Sequence, residues 1–372
     1  MIFWVLYLAM ALSCIAITGT TLVAYTDCAL WLEISVWLLL FFSWFSPIFI
    51  WSLQAKYGNG NRLYNLFALS GYFLFGWAFL LVMTIIFRDL LWTILYQLSG
   101  KNIAGPNNFR ILNAVNIATV SAVFAVCFYG IWGVMKKPRV KIYKYKDRRI
   151  LQPLRLLLVS DMHITGQISV EKVREWVSLI NEQRADIILL PGDIADDYEA
   201  NINKQIAALG KIKTSKGIYY TLGNHEFYFN GAGWEAKFAS LGWVVLHNSG
   251  VEIAESGVYI GGVPDINAFA ISISQAFRGA DKNNYRILLS HTPNISKKAD
   301  FNLIDLLVSG HTHGGQMFPF NIFTKLGNGG LVSGEYQKGN TTILVSNGLG
   351  YWGPPIRLGV PSDVVIIELS GE

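Results

Sequence analysis

Five of the six histidines in this 372-residue chain stand in short polar patterns whose residue types are those of a metal centre. The patterns are Asp161-Met-His163, Gly192-Asp193, Gly223-Asn224-His225-Glu226, His291 and Gly310-His311-Thr-His313. Carboxylate, imidazole and amide oxygen together suit divalent manganese, iron or zinc. A carboxylate between two cations can bridge them, and two metals about 3.5–4 Å apart can clamp a phosphate and generate a hydroxide nucleophile. Asp193 stands alone after an apolar run, in Pro-Gly-Asp, and is the natural bridge. Asp161 and His163 are two apart at one expected strand end and so project to one side, and His311 and His313 share that spacing. His247, in Leu-His-Asn, lies outside the set and reads as structural.

Residues of this kind need a frame that brings them together. Each pattern follows an apolar run that stops abruptly, as in Leu156-Leu-Leu-Val159-Ser-Asp161 and Ile187-Ile-Leu-Leu190-Pro-Gly-Asp193. A sheet presents ligands in this way from the C-terminal tips of its strands. Strands are expected at 154–160, 187–190, 217–222, 243–246, 258–261, 285–290, 306–309 and 342–346. Helices are expected at 170–183, 202–211 and 234–241. Such alternation argues for a layered α/β domain.

The first 135 residues are of another kind. They hold five basic residues (Lys56, Arg62, Arg88, Lys101, Arg110), three acidic ones (Asp27, Glu33, Asp89) and no histidine. A bilayer-crossing helix needs about 20 mostly apolar residues, and four stretches qualify: 2–25, 30–53, 65–87 and 111–135. Residues 88–99 are too short to span; they extend the third helix or lie in the interface. Pro47 should kink the second helix, which membrane helices tolerate, and Glu33 lies at that helix's N-terminal end, where a carboxylate costs little. No span shows a buried charged pair or a clear polar stripe, so anchoring is the expected task. All three cysteines (Cys14, Cys28, Cys127) fall in this half, which leaves the rest without a disulfide framework.

Residues 136–149 carry eight positive charges. The loop between spans one and two has no basic residue, whereas the loop between spans two and three has Lys56 and Arg62. Four spans with both ends in the cytoplasm satisfy this bias, although Arg88, Lys101 and Arg110 near the third loop oppose it. The basic run, within a linker of 136–153, can attract anionic headgroups at roughly 1 kcal/mol per charge, or start the next domain as an edge strand through Val140 and Ile142. Neither reading indicates nucleic acid.

Residues 154–370 resemble the calcineurin-like metallophosphoesterase family, whose pattern is Asp-x-His, Gly-Asp-x-x-Asp, Gly-Asn-His-Asp/Glu, His and Gly-His-x-His. Here these are Asp161-Met-His163, Gly192-Asp193-Ile-Ala-Asp196, Gly223-Asn224-His225-Glu226, His291 and Gly310-His311-Thr-His313. The segments Gly223-Asn-His-Glu-Phe-Tyr228, Gly310-His-Thr-His-Gly-Gly-Gln316 and Gly348-Leu-Gly-Tyr-Trp-Gly-Pro-Pro-Ile-Arg357 are similar to a membrane-anchored branch of that family. The resemblance implies an α/β fold in which a multi-span helical membrane domain (1–135) precedes a four-layer α/β/β/α sandwich (154–372). It implies two divalent ions, one on Asp161, His163, Asp193 and His313, the other on Asp193, Asn224, His291 and His311. It also implies that His225 protonates the leaving oxygen as general acid, that Asp196 orients His225, and that a bridging hydroxide attacks in line.

The chain departs from many relatives at Asp197, where they carry a phosphate-gripping Arg. Arg357, after a Gly/Pro-rich loop, could supply that charge, with Asn224 and His225 completing the substrate contacts. Gly314, Gly315 and Gln316 are expected to shape their loop and Glu226 to give local support. The expected protein is therefore a membrane-anchored, dinuclear metal-dependent phosphohydrolase whose partners are the bilayer and a phosphoester or lipid-linked substrate. A tethered phosphodiesterase for soluble molecules and a non-catalytic membrane scaffold stand as rivals.

Overall fold

The computed structural model describes residues 2–23, 29–58, 61–99, 109–265, 270–297 and 301–372. The end of the first expected span (24–25), Asp27, Cys28 and Lys101 lie outside them. The chain divides into two compact units. One comprises Met1–Tyr57, Asn61–Gly133 and Gly353–Ile356; the other comprises Gly58–Gly60, Val134–Trp352 and Arg357–Glu372.

The first unit is built on α1 (Ile2–Val23), α2 (Leu30–Tyr57), α3 (Arg62–Ser99) and α4 (Phe109–Met135). All four are long and apolar enough to cross a membrane. Residues 88–99 continue α3 as helix rather than lying apart from it. Ser46 places its hydroxyl 2.8 Å from Gly71 O and 3.0 Å from Ser43 O, the carbonyl that Pro47 deprives of its helical donor. The sequence showed no polar stripe, but folding assembles a small one. Arg88 donates to Asn116 Oδ1 (2.8 Å) and Thr119 Oγ1 (3.2 Å), and Asn116 donates to Thr21 O (2.9 Å). The contributing residues sit on three different helices, so no single window of sequence displays them.

The second unit contains two six-stranded sheets. Its strands are β1 (Arg139–Lys146), β2 (Leu154–Leu158), β3 (Ile187–Leu190), β4 (Ile218–Tyr220), β5 (Val244–Val245), β6 (Ser249–Ile253), β7 (Val258–Val263), β8 (Tyr285–Ser290), β9 (Leu306–Ser309), β10 (Gly334–Lys338), β11 (Thr341–Val345) and β12 (Asp363–Ser370). The first sheet runs β1-β12-β2-β3-β4-β5 and the second β10-β11-β9-β8-β7-β6. Strands β2 to β5 are mutually parallel, as are β11, β9, β8 and β7. Parallel strands covered on both faces read as continuous apolar runs, and alternate residues here serve different layers. Leu156, Leu158, Ile187 and Leu189 meet Ile287, Leu289, Leu306 and Val308 between the sheets.

Leu157, Ile188 and Leu190 pack outward on α5 (Val170–Glu182), α6 (Glu199–Leu209) and α8 (Gly231–Ser240), through Val173, Trp176, Ile206 and Trp234. A short α7 (Asn224–Tyr228) precedes α8. The outer face of the second sheet is covered more thinly, by the single-turn α9 (Ile273–Ala276) and 3-10 turns at Pro293–Lys297 and Phe301–Leu303. One further helix, α10 (Phe320–Gly327), follows the Gly-His-x-His loop.

The expected linker is in part a strand. β1 pairs in parallel with β12 along its whole length, so the sandwich begins at Arg139 rather than at Leu154. The inward residues are Tyr143 and Tyr145, which pack against the inter-sheet core, while Val140 and Ile142 face outward and are exposed. Tyrosine rings were the stronger apolar signal, and the Lys-rich flanks concealed them.

A dinuclear metal centre at the strand tips

The ligand patterns lie just past strand ends: Asp161 three residues after β2, Asp193 three after β3, His291 one after β8, His311 two after β9. Asn224 and His225 open α7. The same-side projection of Asp161 with His163, and of His311 with His313, does not come from a strand pleat. Asp161, His163, Asp193, His311 and His313 all adopt positive φ, between 45° and 68°. Left-handed backbone is uncommon for non-glycine residues and concentrates at functional sites, where the surrounding structure holds it.

Glycines permit the close approach. A Cβ on Gly310 would lie 1.8 Å from Ser160 Oγ and 2.1 Å from Asp161 Oδ2. In its absence the next amide, His311 N–H, donates to both Asp161 oxygens at 2.9 and 3.0 Å. A Cβ on Gly223 would fall 2.1 Å from Asp193 Oδ1, which instead accepts from His225 N–H at 2.9 Å.

Ligating atoms converge in two groups, Asp161–His163–His313 and Asp193–His291–His311, each within 4.8 Å. His163 Nε2 is 2.9 Å from His313 Nε2, and His311 Nδ1 is 3.0 Å from His291 Nε2. Asn224 Oδ1 is 3.0 Å from His291 Nε2. Asp193 Oδ2 lies 3.6 Å from His163 Nε2 and 3.1 Å from His291 Nε2, between the two groups. Imidazole nitrogens facing one another across such gaps, with buried carboxylates beside them, make a donor set that divalent cations can satisfy. The residues therefore fit two divalent ions sharing Asp193. A third grouping, His163–Asp193–His225, arises because His225 packs edge-on against His163, with ring centroids 4.6 Å apart.

The supporting hydrogen bonds set tautomers. His291 Nδ1 faces Pro191 O at 2.9 Å, which leaves Nε2 free for metal. Asp196 holds two rings: its Oδ1 is 2.6 Å from His225 Nδ1 and its Oδ2 is 3.0 Å from His163 Nδ1. Sequence reasoning gave Asp196 the first partner and missed the second.

Electrostatics follow the same pattern. Burial would push Asp193 up, but the neighbouring His291, His225 and His163 hold it well below the usual carboxylate range. Burial would lower His225 and His291, yet carboxylates raise them to about 9 and about 10, Asp196 acting first on His225 and Asp193 on His291. Burial, with His291 beside one ring and His163 beside the other, depresses His311 to about 3 and drives His313 well below its ordinary value. Neutral imidazole is the metal-binding form, so His311 and His313 are already set for a cation, whereas His291 must give up a proton when one binds.

Glu226 does more than give local support. Fully buried, it accepts from the backbone N–H of Asp193 (3.0 Å), Ile194 (2.6 Å), Ala195 (3.0 Å) and Gly223 (2.9 Å). It thereby fastens the Gly-Asp-x-x-Asp loop to the Gly-Asn-His turn. Asp197 is also buried and accepts from Gly166 N–H, Tyr198 N–H and Asn201 Nδ2.

Arg357 overturns its expectation. It is 2% exposed, and its guanidinium donates to Gly350 O, Asn347 O and Val360 O, with His313 Nδ1 at 3.3 Å. Its donors are spent on the loop behind the metal ligands, so it is neither a substrate contact nor a solvated surface residue. Gln316 exchanges two hydrogen bonds with the Trp352 backbone, which is a loop-shaping role. His247 pairs with Glu235 at 2.8 Å, outside both ligand groups.

The chain is similar in sequence to known proteins. The calcineurin-like phosphoesterase family matches residues 154–315. An uncharacterized metallophosphoesterase of Helicobacter pylori is 30% identical over 263 residues, 69% of this chain and 70% of its own. The transmembrane protein with metallophosphoesterase domain of Danio rerio is 31% identical over 291 residues, 73% of this chain and 65% of its own. An uncharacterized metallophosphoesterase of Aquifex aeolicus is 31% identical over 268 residues, covering 67% of this chain and 99% of its own. With these likenesses beside two convergent ligand groups and four span-length helices, the chain belongs to the calcineurin-like metallophosphoesterases, in their membrane-anchored branch, and is a phosphoric ester hydrolase with a dinuclear divalent metal site.

Proposed function

We propose that the enzyme hydrolyses a phosphodiester or pyrophosphate of a membrane-associated substrate, such as a phospholipid or a lipid-linked nucleotide. The observation that carries this is the tether. Only Lys136, Lys137 and Pro138 separate the last span-length helix from β1, a chain of at most about 10 Å. A catalytic domain on so short a leash works at a lipid–water boundary.

Asp161, His163, Asp193 and His313 would hold one ion, and Asp193, Asn224, His291 and His311 the other. When bound, such a pair neutralises phosphate charge and activates water. The chain's own residues do the rest. Asp196 fixes His225 through Nδ1, so Nε2 is the end free to protonate the leaving oxygen. Tyr228 and Trp352 lie edge-on to the His225 ring at 5.1 and 6.1 Å and limit water around that proton. The basic bias of the loops favours a cytoplasmic catalytic domain.

The test is hydrolysis by the full-length protein in lipid micelles, run in parallel on bis-p-nitrophenyl phosphate and on a panel of phospholipids and lipid-linked nucleotides. Mn²⁺ is added and then chelated. Chelator-sensitive cleavage of a lipid well above the generic diester is expected. Cleavage of the generic diester alone would remove the lipid substrate and leave a tethered phosphodiesterase for soluble molecules.

A further inference from the structure

The helix that follows the metal-binding loop has a second feature the proposed reaction does not use. α10 carries Ile322 (50% exposed), Phe323 (50%) and Leu326 (76%), preceded by Phe318 (65%). None of its residues is buried, although a helix lying on a globular surface ordinarily turns its apolar stripe inward. It is nevertheless firmly placed. A Cβ on Gly315 would meet Asn321 Cα at 2.3 Å, Asn321 N–H donates to Met317 O, and Gln316 ties the same loop to Trp352, itself 43% exposed. The apolar surface is thus rigidly joined to the segment bearing His311 and His313.

The occupant follows from the sheet register. Arg139 pairs with Asp363, Val365 with Leu158, and Leu158 with Leu189. The first residue of β1 therefore stands at the same end of the sheet as Asp161 and Asp193. The chain reaches that end three residues after the last span-length helix. The residue at which the chain enters the sandwich and the ligand residues thus share one end of the sheet, and α10 follows the ligand loop at that end. A short helix with exposed Phe, Ile and Leu and a flanking Lys325 has the composition of one that lies in a lipid interface.

We infer that Phe318 and the apolar face of α10 form a lipid-contacting rim that seats in the surface of the bilayer beside the metal centre. This rests on the span-length helices being membrane spans, and not on the identity of the substrate.

The experiment uses the full chain with Cys14→Ala, Cys28→Ala and Cys127→Ala, reconstituted in phosphatidylcholine–phosphatidylglycerol vesicles. A nitrobenzoxadiazole label is placed at Leu326→Cys or, as control, at Lys213→Cys, which precedes β4 at the opposite end of the sheet. Shallow doxyl-labelled phosphatidylcholine should quench the label at 326 by about two-fold or more and leave the label at 213 unchanged. Equal, weak quenching at both positions would overturn the inference. The pair Phe323→Ser with Leu326→Ser should abolish that lipid contact, read from a label at Ile322→Cys, without changing turnover of bis-p-nitrophenyl phosphate. Quenching at 326 without lipid hydrolysis supports the rim and removes the lipid substrate. Lipid hydrolysis with an unquenched label removes the rim and leaves the substrate.

Discussion

Asp196 separates two roles that a motif alone merges, and it gives the most discriminating prediction at the scale of single residues. It is hydrogen-bonded to both His225 and His163, one the proposed acid and the other a proposed ligand of the first ion. His225→Asn should lower kcat by about 10²–10⁴-fold while metal content, read by elemental analysis, stays at two ions per chain. Loss of metal with retained turnover would reverse the assignment. Asp196→Asn should do both kinds of damage, lowering kcat and weakening metal retention by about 10–100-fold through the His163 ring. Asp193→Asn should lose both ions together, since its Oδ2 lies between the two groups; loss of one ion only would count against a bridge. Glu226→Gln makes a different point. Four backbone donors converge on that carboxylate, and an amide NH₂ there would face donors. It should destabilise the fold by about 2–3 kcal/mol, measured by thermal unfolding. The convergence of Asp161, His163 and His313, and of Asp193, His291 and His311, was legible in the sequence because motif spacing survives folding. Arg357 was misread because its partners are loop carbonyls, which no side-chain pattern announces.

Among elements, apolar runs predicted the parallel strands closely: 187–190, 285–290 and 306–309 fall where expected. Runs buried on both faces leave little ambiguity. The two-residue spacing in Asp-x-His and His-x-His suggested a strand pleat, yet the strands stop short and left-handed backbone does the aiming. Positive φ at Asp or His leaves no compositional trace of the kind glycine leaves, so that cause was invisible. β1 is the other lesson, since its inward Tyr143 and Tyr145 sit among lysines. A chain beginning at Lys136 should fold and cleave bis-p-nitrophenyl phosphate. One beginning at Leu154 strips β12 of its parallel neighbour, exposes the inter-sheet core and leaves an unpaired edge strand. It should aggregate, as size-exclusion chromatography would show; a soluble monomer would mean that β1 is dispensable.

For the whole molecule, the eight charges of 136–149 raise the question of whether lysine and arginine there hold the enzyme to anionic lipid or hold the sandwich together. The structure divides them. Arg149 is committed to Asp147 and Asp305, both at 2.7 Å, and Lys141 lies 2.6 Å from Asp363, a fully buried carboxylate. Lys137 and Lys144 also reach acids, but their side chains are about three-quarters exposed, and exposed pairs contribute little. Substitutions that remove positive charge at the two kinds of position should therefore have opposite signatures. Lys137→Gln with Arg139→Gln, in a chain beginning at Lys136, should weaken binding to phosphatidylglycerol vesicles by roughly tenfold or more at about 1 kcal/mol per charge. That loss should shrink as added salt screens the remaining charges, while thermal stability stays unchanged. Lys141→Gln should leave vesicle binding within the effect of a single charge but destabilise the sandwich by about 3 kcal/mol, because Asp363 would keep a buried charge without its cation. Vesicle sedimentation and thermal unfolding of the same two variants decide the matter. If Lys141→Gln proved as stable as its parent, the basic run would be a membrane device throughout and its pairing with the sheet incidental.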